Sequence, residues 1–155
     1  MKMWRIMEKT GLYTDEEIRS IIEGPTHRII MLSGPTESGK TKLIRSLKSE
    51  EKLIISCESF EQAAMDMIRS DNDTFIEAMM SAFFFCPLLC IEDADIVLSG
   101  RSILQRRITD FLLEYVREHT AVFTGVSLNK RLYVIREGVE RDKLLIIEHS
   151  DEQPV

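Results

Sequence analysis

The 155-residue chain has little of what several protein classes require. It has three cysteines, Cys57, Cys86 and Cys90. An odd number in apolar, strand-like surroundings excludes a disulfide scaffold and reads as buried, reduced thiols. It has three histidines, His27, His119 and His149, too scattered to form a metal-ligating set. Cys86 and Cys90 straddle Pro87 and a strand, a spacing unsuited to zinc. No long hydrophobic run is present. The most apolar stretch, Met79 to Ile91, is broken by Pro87 and falls short of the roughly 20 residues that a spanning helix needs. The N-terminal MKMWRIMEK mixes charge with apolar residues instead of forming a leader, so the expected compartment is the cytoplasm. There is no excess of positive charge either. The net charge is −6 with a pI near 5.2, a poor basis for binding nucleic acid unaided, because such binding rests on Lys and Arg neutralising phosphates.

What remains is a chain that is 44% hydrophobic and 30% charged, with no repeat, low-complexity tract or long linker. That is enough for one real core. Short continuous apolar runs occur at Arg28–Ser33, Lys52–Ser56, Leu88–Ile91, Ala121–Thr124 and Leu144–Ile147. Runs without polar alternation are expected of parallel strands covered on both faces. Between them lie helix signals. Thr14 and Glu17 form a capping box for a helix over 15–22, and residues 1–26 read as an N-terminal helical segment. Ser59 and Gln62 form a second such pattern, opening a helix to about Arg69. A helix is predicted from about Gly39 to Leu47 and another from Thr74 to about Phe84. Ile103, Leu104, Ile108, Phe111, Leu112 and Tyr115 recur at helical spacing and predict one apolar face. Trp4 and the methionines read mainly as core, and Arg101, Arg106 and Arg107 as a solvated face. The alternation predicts a three-layer α/β domain with five parallel strands, spanning residues 1–155.

The first chemical motif is Gly34-Pro35-Thr36-Glu37-Ser38-Gly39-Lys40-Thr41. It fits the phosphate-loop pattern G-x-x-x-x-G-K-[ST] between a predicted strand and a predicted helix. Glycines let the backbone wrap a phosphate. The N–H groups of the turn then face the anion, Lys40 reaches the β- and γ-phosphates, and Thr41 offers a hydroxyl to Mg²⁺. Glu37 is an unusual acid for such a loop and is expected to point outward. The second motif is Glu92-Asp93 at the end of an apolar strand, the pattern of the Mg²⁺-side strand in P-loop NTPases. Glu92 would hold Mg²⁺ through water and Asp93 would polarise an attacking water. Glu92 is one methylene longer than the usual Asp, which weakens the case for efficient hydrolysis.

Taken in order, GPTESGKT, CESFEQA, LLCIEDADIVLSG, a long amphipathic helix and AVFTGVSLNKRL resemble the AAA+ core of the DnaA initiator and its shortened Hda-type relatives. The resemblance spans roughly residues 28–148. It implies a P-loop NTPase fold that binds ATP or ADP with Mg²⁺. The implied function is a nucleotide-dependent regulatory or assembly role in replication initiation. It implies γ-phosphate sensing at the end of the fourth core strand, where Thr124 is available and Val126 stands nearest the usual Asp. It implies an arginine offered to a neighbour's nucleotide, for which Arg136 and Arg141 are both candidates. The helical lid and the DNA-binding domain of that family have no counterpart within 1–155. Output is therefore expected through a protein partner, either a replication initiator or another AAA+ subunit, with weak or partner-dependent hydrolysis. Two alternatives are a small P-loop nucleotide kinase, since LSGPTESGKT also resembles guanylate-kinase-like loops, and a degenerate AAA+ scaffold that no longer turns nucleotide over.

Overall fold

A computed structural model describes residues 3–36, 38–70 and 72–151. In chain order the elements are β1 (Met3–Ile6), β2 (Tyr13–Thr14), α1 (Asp15–Ile22), β3 (Ile29–Ser33), α2 (Lys40–Arg45), β4 (Lys52–Ser56), α3 (Cys57–Ser70) and α4 (Phe75–Phe83). There follow β5 (Leu88–Glu92), α5 (Ala94–Val97), α6 (Ser102–Tyr115), β6 (Thr120–Gly125), α7 (Leu128–Arg131), α8 (Tyr133–Gly138) and β7 (Leu144–Ser150). They build one seven-stranded sheet in the order β2-β1-β7-β3-β6-β5-β4. The five strands expected from the apolar runs form its parallel body. β1 and β2 extend it antiparallel beyond β7, with Trp4 opposite His149 and Tyr13 opposite Trp4.

The N-terminal segment, read from the sequence as helical with its helix over 15–22, contains that helix and also the two short strands β1 and β2, which the sequence reading did not include. Only α1 is helical there, and its start agrees with the capping box. Glu17 N–H donates to Thr14 Oγ1 at 3.2 Å, and Thr14 N–H donates to Glu17 Oε1 at 3.0 Å. Such a cap stabilises a helix by about 0.5–2 kcal/mol. Asp15, Glu16 and Glu17 in the first turn add favourable interactions with its positive end.

Successive strand residues face opposite layers. Ile29 and Met31 face α3, α4 and α6, where Phe60, Phe83 and Phe111 pack with ring centroids 5.5–6.3 Å apart. Ile30 and Leu32 face the other layer, with Trp4, Ile18, Leu43, Ile44 and Ile147. β3 and β6 are buried along their whole length, which is why their sequences show no polar alternation.

Two helix details depart from expectation. α3 begins at Cys57, and its first turn is held by Ser56 Oγ accepting from Ser59 N–H at 3.1 Å, while Gln62 donates to Asp66. Ser59 is therefore inside the helix, not its cap. On α6, Ile103 is 78% exposed, whereas Leu104, Ile108, Phe111, Leu112 and Tyr115 are buried. Ile103 lies about 100° around the axis from Leu104, on the flank away from the core. Arg101 pairs with Glu61 at 2.5 Å, and Arg107 lies 4.8 Å over the Phe75 ring. Both arginines are tied to neighbouring side chains rather than only solvated. Trp4 is fully buried, and the three cysteines are buried thiols.

Candidate nucleotide-phosphate site

The site lies at the C-terminal ends of the parallel strands. β3 ends at Ser33, and the loop that follows returns at Lys40 into α2. Gly34 N–H donates to Gly125 O at 3.1 Å, anchoring the start of the loop to the end of β6. Ser38 N–H donates to Pro35 O at 2.9 Å and tightens the turn. Gly39 sits at φ +94°, a left-handed conformation that an L side chain rarely adopts. Glu37 lies outside the described residues.

Lys40 is 8% exposed and folded into the loop. Its Nζ donates to Gly34 O, to Pro35 O at 2.9 Å and to Ser38 Oγ at 3.4 Å. Burial lowers its affinity for a proton, and the carboxylates of Asp93 and Asp95 act in the opposite direction. The ammonium is thus held by loop carbonyls, an arrangement an anionic phosphate would compete with strongly. Beside it, Thr36, Gly39, Lys40, Thr41, Lys42, Arg45 and Ser46 line an open groove of about 700 Å³. Thr41 is exposed in this groove. α2 carries no side-chain cap, so its first N–H groups are available to a ligand.

Glu92 ends β5 and is half-buried; its Oε1 is buried and has no hydrogen-bond partner among the described residues. An orphaned carboxylate oxygen together with the Thr41 hydroxyl is a donor set that suits Mg²⁺, which takes one or two protein oxygens and completes its shell with phosphate and water. Among the described residues no group of three or more His, Cys, Asp and Glu forms a metal cluster of its own. Asp93 follows at φ +59° and is exposed, so the two acids face different surroundings. Thr124 is 3% exposed near the end of β6, and Val126 is 52% exposed.

Arg136 and Arg141 are elsewhere. Both line a separate pocket of about 310 Å³ with Glu8 and Leu144–Ile146. Leu144 pairs with Ile29, the first residue of β3, whereas the phosphate loop follows its last. The two ends of β3 are separated by roughly 13 Å at 3.3 Å per residue. Arg136 is engaged by Asn129 at 3.0 Å and Glu137 at 2.9 Å. Arg141 is 89% exposed and pairs with Glu8 at 3.3 Å.

Three residues beside the site escaped the sequence reading. Ser33 Oγ accepts from Leu128 N–H at 3.2 Å. Asp95 Oδ2 accepts from Val126 N–H and Ser127 N–H, both at 2.9 Å. His149 follows the last β3-paired residue of β7, and a methyl group added to Gly34 would come within 2.8 Å of its Cβ. Only Asp95 left a trace in the sequence, as a lone acid among Ala94, Ile96 and Val97.

No family model matches the chain, and no curated protein resembles it significantly in sequence. Solved structures do match. Domain III of the Thermotoga maritima replication initiation protein DnaA aligns over 91% of this chain and 69% of its own, with a TM-score of 0.60 and 16% identity. AMPPCP-bound DnaA from Aquifex aeolicus aligns over 84% of this chain with a TM-score of 0.62 and 18% identity. The chain is similar in fold to the DnaA AAA+ core. A replication initiator DnaA bound to AMPPCP and single-stranded DNA aligns over 86% of this chain with a TM-score of 0.60 and 20% identity. This chain spans 44% of the length of that initiator and of the Aquifex one. Among the described residues no helix is long and apolar enough to cross a membrane.

Proposed function

We propose that the chain binds ATP or ADP at Gly34–Thr41 and acts in the cytoplasm as a nucleotide-dependent regulatory or assembly protein in replication initiation. One observation carries this reading: a phosphate loop with Lys40 buried inside it, its ammonium within electrostatic reach of Asp93 and Asp95, opens onto a groove. The AMPPCP-bound DnaA neighbours of the same fold support it. The loop N–H groups and Lys40 would hold the phosphates, and Thr41 and Glu92 would hold Mg²⁺. When bound, Mg²⁺ would neutralise phosphate charge. Asp93 would orient water and Thr124 would stand next to the terminal phosphate. Neither arginine is near this chain's own loop, so hydrolysis would be weak alone and would rise when a partner presents an arginine, or when Arg141 is presented to a second nucleotide. Arg141 suits that role better than Arg136, whose guanidinium is held by Asn129 and Glu137. The partner would be a replication initiator or another AAA+ subunit.

Calorimetric titration with ADP and a non-hydrolysable ATP analogue, each with Mg²⁺, tests this. The wild-type chain is expected to bind both and Lys40→Ala neither, at unchanged melting temperature. Absence of binding by the wild-type chain overturns the reading.

A further inference from the structure

Four consecutive residues at the end of β6 are pinned by their backbones. Gly125 O accepts from Gly34 N–H, Val126 N–H and Ser127 N–H donate to Asp95, and Leu128 N–H donates to Ser33 Oγ. Two of these anchors come from the phosphate-loop side and one from the turn after Glu92 and Asp93. In the sheet, β6 lies between β3 and β5. The segment 125–128 therefore stands between the loop that would cradle the first phosphates and the acids that would act beyond the last one.

Asp95 is the one anchor that is charged. It is 5% exposed, and its second oxygen, Oδ1, is buried without a partner among the described residues. That oxygen lies against Gly125, where an added methyl group would approach it to 2.6 Å and Leu128 Cδ2 to 2.6 Å. A buried carboxylate with one oxygen unsatisfied is costly to keep. It is retained where it grips two backbone donors of a segment that touches the phosphate loop.

Resting on the nucleotide-binding reading above, we propose that Asp95 is a positioning residue: by gripping Val126 and Ser127 it holds the segment 125–128 where the third phosphate must sit, and so sets the preference for ATP over ADP. It touches no phosphate itself. Its effect passes through the backbone of 125–128 and through Gly34.

The test is calorimetric titration of the wild-type chain, Asp95→Ala and Asp95→Asn with Mg²⁺–ADP and with a Mg²⁺-bound non-hydrolysable ATP analogue, alongside melting curves. Asp95→Ala is expected to weaken the ATP analogue about tenfold or more and ADP less than about threefold, the size of losing hydrogen bonds to a charged acceptor. Asp95→Asn keeps an oxygen for both N–H groups and is expected to restore most of the ratio. If Asp95→Ala weakens both nucleotides equally, or neither, the proposal fails while nucleotide binding stands. If Asp95→Ala does not fold, Asp95→Leu, which keeps the side-chain volume and removes both acceptor oxygens, decides: a fall of about tenfold in the preference for the ATP analogue over ADP upholds the proposal, and an unchanged preference overturns it. If the wild-type chain binds neither nucleotide, both readings fall.

Discussion

Trp4 is the chain's single tryptophan and is fully buried. Its ring meets His149 edge-on, with centroids 5.5 Å apart and planes at 84°, and its Nε1 donates to Asp15 Oδ1 at 2.6 Å. Three elements, β1, β7 and α1, are thus joined by one side chain. Truncation to alanine removes the ring and leaves a cavity, at a cost of about 3–5 kcal/mol. Asp15 is half-buried and regains water, so the lost hydrogen bond accounts for the smaller share. Trp4→Phe keeps a ring and loses the donor, and is expected to cost about 1–2 kcal/mol. Against a typical total of about 5–15 kcal/mol, the alanine change removes a large fraction of stability. Urea unfolding followed by far-ultraviolet circular dichroism reads both variants. Because His149 also packs against Gly34, Trp4→Ala is expected to weaken nucleotide binding and Trp4→Phe to preserve it. An Asp15 and Trp4 double-mutant cycle isolates the hydrogen bond. If Trp4→Ala unfolds within about 1 kcal/mol of wild type, the antiparallel extension is not part of the cooperative fold.

Gly125→Ala places a methyl group 2.6 Å from both Asp95 Oδ1 and Leu128 Cδ2, so one of them must move. Overpacking of this kind costs about 1–3 kcal/mol, read as a shift in urea midpoint, and an unchanged midpoint would contradict the close approach. Burial, reinforced by Glu61, Asp93 and Asp95, pushes the Cys57 thiol up to about 12, and burial with Glu92 pushes Cys90 up to about 12. In the native chain both stay protonated at pH 8.5, so a thiol reagent should label them only after unfolding. Between the ordinary thiol value of 9.0 and about 12, the unfolded chain releases protons that the folded chain keeps. Stability must therefore fall as pH rises through that window, and a melting temperature that rises from pH 9 to 11 would refute the burial of these thiols.

The parts legible in the sequence are those whose signal is local. The phosphate loop is read from eight consecutive residues, and the parallel strands from runs such as Ile29-Ile30-Met31-Leu32 whose burial on both faces leaves no polar alternation. The Thr14 cap is legible because its partner Glu17 is three residues away. The parts missed depend on distant partners. β1 has four residues, one of them Arg5, and β2 has two; neither shows a strand period, and they are strands because β7 supplies an edge. α5 and α7 have four residues each, less than the span over which helical periodicity can be counted. Asp95 is one more acid after Glu92 and Asp93 until the backbone N–H groups of Val126 and Ser127 are placed against it. Ile103 satisfies the helical spacing with Phe111 but lies at the margin of the face and is left in solvent.

The pairing of β1 with β7 has a consequence for biosynthesis. Met3 faces Ser150 and Ile6 faces Ile147, so β1 has only the two-residue β2 beside it until β7 emerges. At about 5–20 residues per second, that interval is on the order of 7–30 s. Through it Met3, Trp4 and Ile6 travel without β7 against them, and β3 lacks both of its neighbours until β6 and β7 appear. The one parallel pair that can close early is β4 with β5, formed by residues 52–92. Assembly on the ribosome should therefore begin at the β4 edge and finish at the edge carrying Trp4, with the phosphate loop acquiring its β6 and His149 contacts among the last steps.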